Sequence, residues 1–231
     1  MAFQADRWWE QRDERKQEHA YIERLIADFQ MDVAAIEYAI EIAQLRLSFV
    51  HLLMDVSRDP ETALKQPAVF LSAIEQAAYT YTPSLTSHTF EDLRSTGNMR
   101  LVRNLDIKNA LYDYYGFDAS QRQYRPLQFF SEFNYFELSA GVRSLQQSVF
   151  IQDTDLIISP DEIERIKAIE RDPEAIMATA VRLTERTDMI NWLPQLRSLQ
   201  LEQIEVHIIR LEKANTVLKM LQNSTTGIVR Q

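Results

Sequence analysis

The sequence predicts an all-α protein, an elongated antiparallel helical bundle with two long coiled-coil-like helices and several short helices. Leu, Ile, Ala, Glu, Gln and Arg dominate the composition, and these residues favour helix. Four glycines and seven prolines among 231 residues are too few for a turn-rich all-β protein. Apolar residues recur every seven positions near both ends of the chain. With 45% hydrophobic residues, the chain can bury one core, so we predict a single helical domain over residues 1–231.

The first predicted helix runs from Ala5 to about Val56 without a glycine or proline. It should end near Ser57, because Asp59 followed by Pro60 is a strong start signal for the next helix. Two sevenfold rows of apolar residues predict a buried seam, and a seam of this length requires a long partner helix. The rows are Ile22, Phe29, Ile36, Ala43 and Val50, and Ile26, Val33, Ile40, Leu47 and Met54.

The partner predicted for this seam is the last helix, from Trp192 to Gln222. We expect it to lie antiparallel to the first helix, and we expect residues 223–231, which are polar, to form a flexible tail. Its two sevenfold rows are Ile204, Leu211 and Leu218, and Leu201 and Ile208 continued by Asn215.

Short helices are predicted between the two long ones. Ala68 to Tyr79 is typical of a short buried helix. The stretch from Asp118 to about Gln152 is interpreted as an aromatic-rich helical run whose rings pack in the core. The predicted N-caps are Thr89, Asn104, Ser159 and Asp172, and the predicted helix ends are Gly97, in a left-handed conformation, and Gly116.

Two adjacent tryptophans, Trp8 and Trp9, precede a dense run of charged residues. Paired tryptophan is typical of a membrane interface, where the rings lie at headgroup level. Upstream of Ile22, the heptad rows also carry Arg12, Arg15 and His19, so the first five turns lack a seam to bury. We therefore interpret Phe3, Trp8 and Trp9 as candidates for membrane contact and residues 1–20 as a membrane-proximal stalk. The alternative is that the two indole rings cover an apolar end of the bundle.

The run Phe3-Gln-Ala-Asp-Arg-Trp-Trp-Glu-Gln-Arg-Asp-Glu-Arg resembles a segment found in a family of uncharacterised bacterial membrane proteins. In that family the segment follows a single amino-terminal transmembrane helix. The block from Thr89 to Tyr115 is similar to the family's second recurrent block. The resemblance implies that the chain starts just past such an anchor, at the bacterial inner membrane, with the helical domain in the cytoplasm or the periplasm. It implies no activity.

Several function classes lack their signatures in this sequence. A net charge of −9 disfavours a nucleic-acid partner. The chain has no cysteine for a thiolate metal site or a cysteine nucleophile, and no Glu-x-x-His pair for a di-iron site. Its glycines are isolated, so no phosphate-binding loop is predicted. We accordingly assign no catalytic, cofactor-binding or metal-binding residue.

Positive charges are concentrated around one predicted turn. Arginines beside a turn rich in backbone amides could bind an anion or an acidic partner. The alternative is that these arginines pair with Glu91, Asp92, Asp106 or the acidic first helix. The candidate residues are Arg94, Ser95, Gly97, Arg100, Arg103 and Lys108.

Two functions remain after these exclusions. The favoured one is a non-catalytic, membrane-tethered helical interaction or scaffold module that binds a protein partner or a second copy of itself. The other is a soluble enzyme or small-ligand binder whose site lies in the aromatic-rich middle, between Tyr112 and Tyr135.

Overall fold

The computed structural model describes residues 2–121, 125–142 and 159–228, without the side chains of residues 2–7, 10–11, 125–127 and 226–228. Every regular element in these ranges is a helix, which confirms the all-α prediction. Short 3-10 helices span Pro60–Lys65, Asn98–Leu101 and Pro160–Glu162. The α-helices are α1 (Ala2–Arg58), α2 (Pro67–Gln76), α3 (His88–Ser95), α4 (Leu105–Gln121), α5 (Arg125–Ser139), α6 (Ile163–Lys167), α7 (Pro173–Glu185) and α8 (Thr187–Ile228).

The chain divides into two compact units. The amino-proximal unit comprises residues Met1–Tyr38, Pro83–Gln123 and His207–Gln231. The central unit comprises Ala39–Thr82 and Tyr124–Val206. Helices α1 and α8 contribute residues to both units. The grouping of residues 1–231 into a single domain stays a prediction.

The buried seam of α1 is shifted from the predicted one. The first predicted row is confirmed, since no residue in it is more than 5% exposed. The second row was wrong, because Ile26 and the residues that follow it every seven positions are only partly buried. The buried row lies one residue earlier, and it contains the charged residues Asp32 and Arg46. This row is Leu25, Asp32, Ala39, Arg46 and Leu53.

The buried row of α8 is shifted in the same way. Leu201 and Ile208, which were predicted to lie in the seam, are 39% and 43% exposed. The buried residues alternate at spacings of three and four, as heptad positions do, but the middle of the row is polar. They are Leu193, Leu196, Gln200, Gln203, His207, Arg210, Ala214, Val217 and Leu221.

Each unit has its own core. In the amino-proximal unit, Phe29 of α1 packs against Tyr114 of α4 with ring centroids 4.8 Å apart. In the central unit, α2 is buried over nearly all of its length, as its largely apolar sequence favours, and Ser72, Glu75 and Gln76 are buried with it. Phe49, Phe70, Ile74, Leu183 and Leu196 are among the residues of this core.

Several helix boundaries differ from the predicted ones. Asn104 caps α4 as predicted, because its Oδ1 accepts the N–H of Asp106 at 2.8 Å. Thr89 is not an N-cap, since α3 begins one residue earlier. Gly116 does not end its helix, since α4 continues to Gln121. The predicted run from Asp118 to Gln152 is divided between α4 and α5, and residues 143–158 lie outside the described ranges. The predicted tail is helical through Ile228.

Candidate functional site

The tryptophan pair lies in the first turns of α1. Trp8 is 54% exposed and Trp9 is 59% exposed, so neither ring belongs to the core. The membrane interpretation and the interpretation that these rings cover an apolar end of the bundle both stay predictions. The two rings meet edge to face, with centroids 5.0 Å apart and planes at 78°. The side chain of Phe3 lies outside the description.

One guanidinium group contacts both indole rings. The Cζ atom of Arg12, one turn after Trp8, lies 5.4 Å from the ring centroid of Trp8 and 5.7 Å from that of Trp9. Cation–π attraction at an exposed site contributes about 0.5–1 kcal/mol. This contact stabilises the edge-to-face arrangement of the two exposed rings and places a positive charge next to them. Apolar rings beside a cation are suited to the boundary between acyl chains and phosphate headgroups.

The predicted arginine patch is used for ion pairs within the amino-proximal unit. Arg94 contacts Glu91 at 3.3 Å, and Arg100 contacts Glu14 of α1 at 3.1 Å. The arginine of this patch nearest to α4, Arg103, contacts Glu14 at 3.6 Å and Glu18 at 3.5 Å. These contacts match the alternative in which the arginines pair with neighbouring acids and with the first helix.

The turn beside these arginines has a structural role. Gly97 has φ +72°, in the left-handed region, as predicted from its position after α3. The hydroxyl of Ser95 donates to the carbonyl oxygen of Asp92 at 3.3 Å. Lys108 lies half-buried on α4. The turn therefore reverses the chain between α3 and α4.

The aromatic-rich middle belongs to two units. Tyr112 lies on α4 in the amino-proximal unit and is 47% exposed. Tyr135 lies on α5 in the central unit, where its hydroxyl donates to the carbonyl oxygen of Ile74 at 3.0 Å. The core interpretation holds for Tyr135, but it was wrong for Phe129, Phe130 and Phe133, which are 74%, 66% and 62% exposed. Tyr124 and Phe150, from the same predicted stripe, lie outside the described ranges.

A buried carboxylate that was not predicted as a site residue lies at the middle of the amino-proximal unit. Asp32 is 1% exposed, and it accepts the backbone N–H of Thr86 at 2.7 Å and the hydroxyl of Tyr114 at 2.8 Å. Burial raises the pKa of Asp32, and hydrogen bonds from Thr86 and Tyr114 offset part of this increase. Burial also raises the pKa of Tyr114 above its ordinary value, so the phenol stays protonated and donates. No pattern in the sequence predicts this burial, because an aspartate on an amphipathic helix is usually solvated.

A second polar group is buried beside this one. Arg210 of α8 contacts Asp118 of α4 at 3.2 Å, and its side chain is 3% exposed. The Nη1 of Arg210 also lies 3.0 Å from Nδ1 of His207. Because arginine only donates, Nδ1 of His207 is the acceptor, which places the proton of the neutral ring on Nε2. These side chains join α4 to α8 inside the unit.

The amino-proximal unit has a groove lined by apolar and charged side chains. A groove of about 320 Å³ lies between α4 and α8, where Lys213 pairs with Asp113. Its lining mixes apolar and charged side chains, and the ion pair neutralises two of the charges. No group of three or more potential metal ligands occurs among the residues that the structure describes. The groove is lined by Ala110, Asp113, Ile209, Glu212, Lys213, Thr216 and Val217.

No helix in the described ranges is long and apolar enough to cross a membrane. Comparison with known proteins gives no match to a family model, to a curated protein or to a solved structure.

Proposed function

We propose that the chain is a non-catalytic helical interaction module held at a membrane surface, in bacteria the inner membrane, by the amino-terminal end of α1. The observation that carries this proposal is the exposure of Trp8 and Trp9 together with the guanidinium of Arg12 against both rings. A large exposed apolar patch rimmed by polar groups marks an interaction surface. The indole side chain is well suited to the headgroup region.

The energetics of such a contact are favourable. About 100 Å² of each tryptophan is available for burial, given its exposed fraction and a total of roughly 150–250 Å². At about 25 cal/mol per Å², each ring contributes about 2.5 kcal/mol on burial. The chain carries a net charge of −9, so apolar contact rather than overall electrostatic attraction must supply the affinity.

The buried polar side chains support a structural rather than a catalytic role. Asp32 is held by Thr86 and Tyr114, and Arg210 is held against Asp118. Each of these groups is enclosed, whereas a catalytic group must reach a bound substrate. They resemble the polar positions that fix register in helical bundles.

Vesicle flotation tests the proposal. The wild-type chain and the double variant Trp8→Ala/Trp9→Ala are mixed with vesicles of phosphatidylethanolamine and phosphatidylglycerol. The double variant is expected to bind at least tenfold more weakly, because two apolar contacts are lost. Leu105→Ala is the matched control, because Leu105 is 67% exposed in the same unit and is not part of the pair. Equal flotation of the double variant and the wild type would contradict the proposal.

A further inference from the structure

Helix α5 is fixed by its inner face. Tyr135 is 1% exposed, and its hydroxyl donates to the carbonyl oxygen of Ile74 in α2 at 3.0 Å. Glu132 accepts the backbone N–H of Thr80 at 2.7 Å and also the hydroxyl of Thr80. These contacts lie within the central unit. They determine which side of α5 faces outward.

The outer face of α5 is aromatic. Phe129, Phe130 and Phe133 are 74%, 66% and 62% exposed. Phe129 and Phe133 are one helical turn apart, and Phe130 lies beside them, so the three rings form one surface. We call it the phenyl face. If about two-thirds of each side chain is exposed, the phenyl face covers about 400 Å². That is as large as the largest apolar patch on a typical monomer.

We propose that the phenyl face binds the phenyl face of a second copy, with the two α5 helices antiparallel. An antiparallel pair centred at Ser131 places Phe129 of one copy across from Phe133 of the other, since these residues are two positions either side of the centre. A two-fold axis therefore brings rings to rings.

The area of the phenyl face fits this partner. Two copies would bury about 800 Å² of ring surface. Because homodimer interfaces are about 65% apolar, this corresponds to a total of about 1,200 Å², the lower end for a specific complex. A dimer that depends on protein concentration is expected from such an area. A lipid surface fits less well, because Glu137, one turn after Phe133, is exposed and negatively charged.

Sedimentation velocity over a range of about 1 to 500 μM tests the dimer. The wild-type chain is expected to pass from monomer to dimer, and Phe133→Glu is expected to raise the dissociation constant at least tenfold by placing two carboxylates between the rings. Leu105→Glu is the matched control, since it adds the same charge at a residue that is 67% exposed in the other unit. Circular dichroism is expected to show that Phe133→Glu is folded, because residue 133 is 62% exposed.

Two results would overturn the dimer proposal. They are a wild-type chain that stays monomeric at 500 μM and a Phe133→Glu chain that dimerises like the wild type. If the wild type is monomeric and Phe133→Glu loses vesicle binding, the phenyl face contacts lipid instead. The membrane proposal for Trp8 and Trp9 is independent, because those residues belong to the other unit.

Discussion

Asp32 shows how one side chain can join a loop and two helices. Its hydrogen bonds reach Thr86, in the segment before α3, and Tyr114, on α4. Removing the acceptor leaves a part-buried N–H and a buried hydroxyl without this partner, which costs about 1–3 kcal/mol for a buried group. The charge itself opposes folding, because burial raises the pKa of this carboxyl.

The effect of Asp32 on stability should therefore depend on pH. A carboxyl whose pKa is raised in the folded state stabilises the fold below its unfolded pKa, near 3.8, and this contribution is lost as the pH rises through the folded pKa. The neutral variant Asp32→Asn has no such dependence. We expect the free energy of unfolding of the wild type, measured with urea, to fall relative to that of Asp32→Asn as the pH rises above 3.8.

The control for this measurement is Glu37→Asn, at an exposed position on the same helix. If the wild type instead gains stability relative to Asp32→Asn with rising pH, the hydrogen bonds from Thr86 and Tyr114 outweigh burial, and our account of this carboxylate is wrong.

Gly97 and Gly116 both have room for a side chain but differ in backbone conformation, so they can be compared with each other. Gly97 has φ +72° and Gly116 lies within α4, and a Cβ added at either position meets no atom within 4 Å. Backbone conformation alone should therefore decide the effect of alanine. We expect Gly97→Ala to lower the free energy of unfolding by about 1 kcal/mol, because alanine disfavours the left-handed region. We expect Gly116→Ala to raise it by about 0.5–1 kcal/mol, because alanine favours helix.

Thermal or urea unfolding of the two glycine variants measures both effects in one protein. Two changes of the same sign would show that Gly97 is not a left-handed cap or that Gly116 is not helical. The sequence predicted the first assignment from the position of Gly97 after a short helix. It did not predict the second, because a glycine at position 116 indicated the end of a helix.

The seams of α1 and α8 show what heptad spacing can and cannot predict. Apolar residues every seven positions predicted both long helices. The neighbouring row was predicted at the wrong positions, because some buried positions of both helices are polar and do not follow an apolar pattern. They are Asp32 and Arg46 in α1 and four residues in α8. A charged side chain can be buried when tertiary contacts satisfy it, and a single sequence does not show those contacts. The four residues in α8 are Gln200, Gln203, His207 and Arg210.

For the whole molecule, composition and spacing were enough to predict an all-α fold, and the described residues confirm it. They were not enough to predict surfaces. The phenylalanines of α5 have helical spacing, and that spacing fits a buried face and an exposed one equally well. The exposure of Trp8 and Trp9 was predicted because the heptad rows stop before Ile22, so no partner surface was expected there. The arginine patch was predicted as two alternatives, and the ion pairs with Glu14 and Glu18 match the structural one.

We propose that Trp8 and Trp9 enter a membrane interface. To test this by fluorescence, the third tryptophan, Trp192, is replaced by Phe so that only this pair emits. Its Nε1–H has no hydrogen-bond partner among the described residues, so this replacement removes no polar contact there.

Tryptophan fluorescence of the Trp192→Phe chain, with and without vesicles, measures the environment of both rings directly. Because the rings are 54% and 59% exposed, we expect red-shifted emission that iodide quenches readily in buffer. On addition of phosphatidylethanolamine and phosphatidylglycerol vesicles, we expect a blue shift and protection from iodide. Emission that keeps its wavelength and its quenching at saturating lipid would contradict the account.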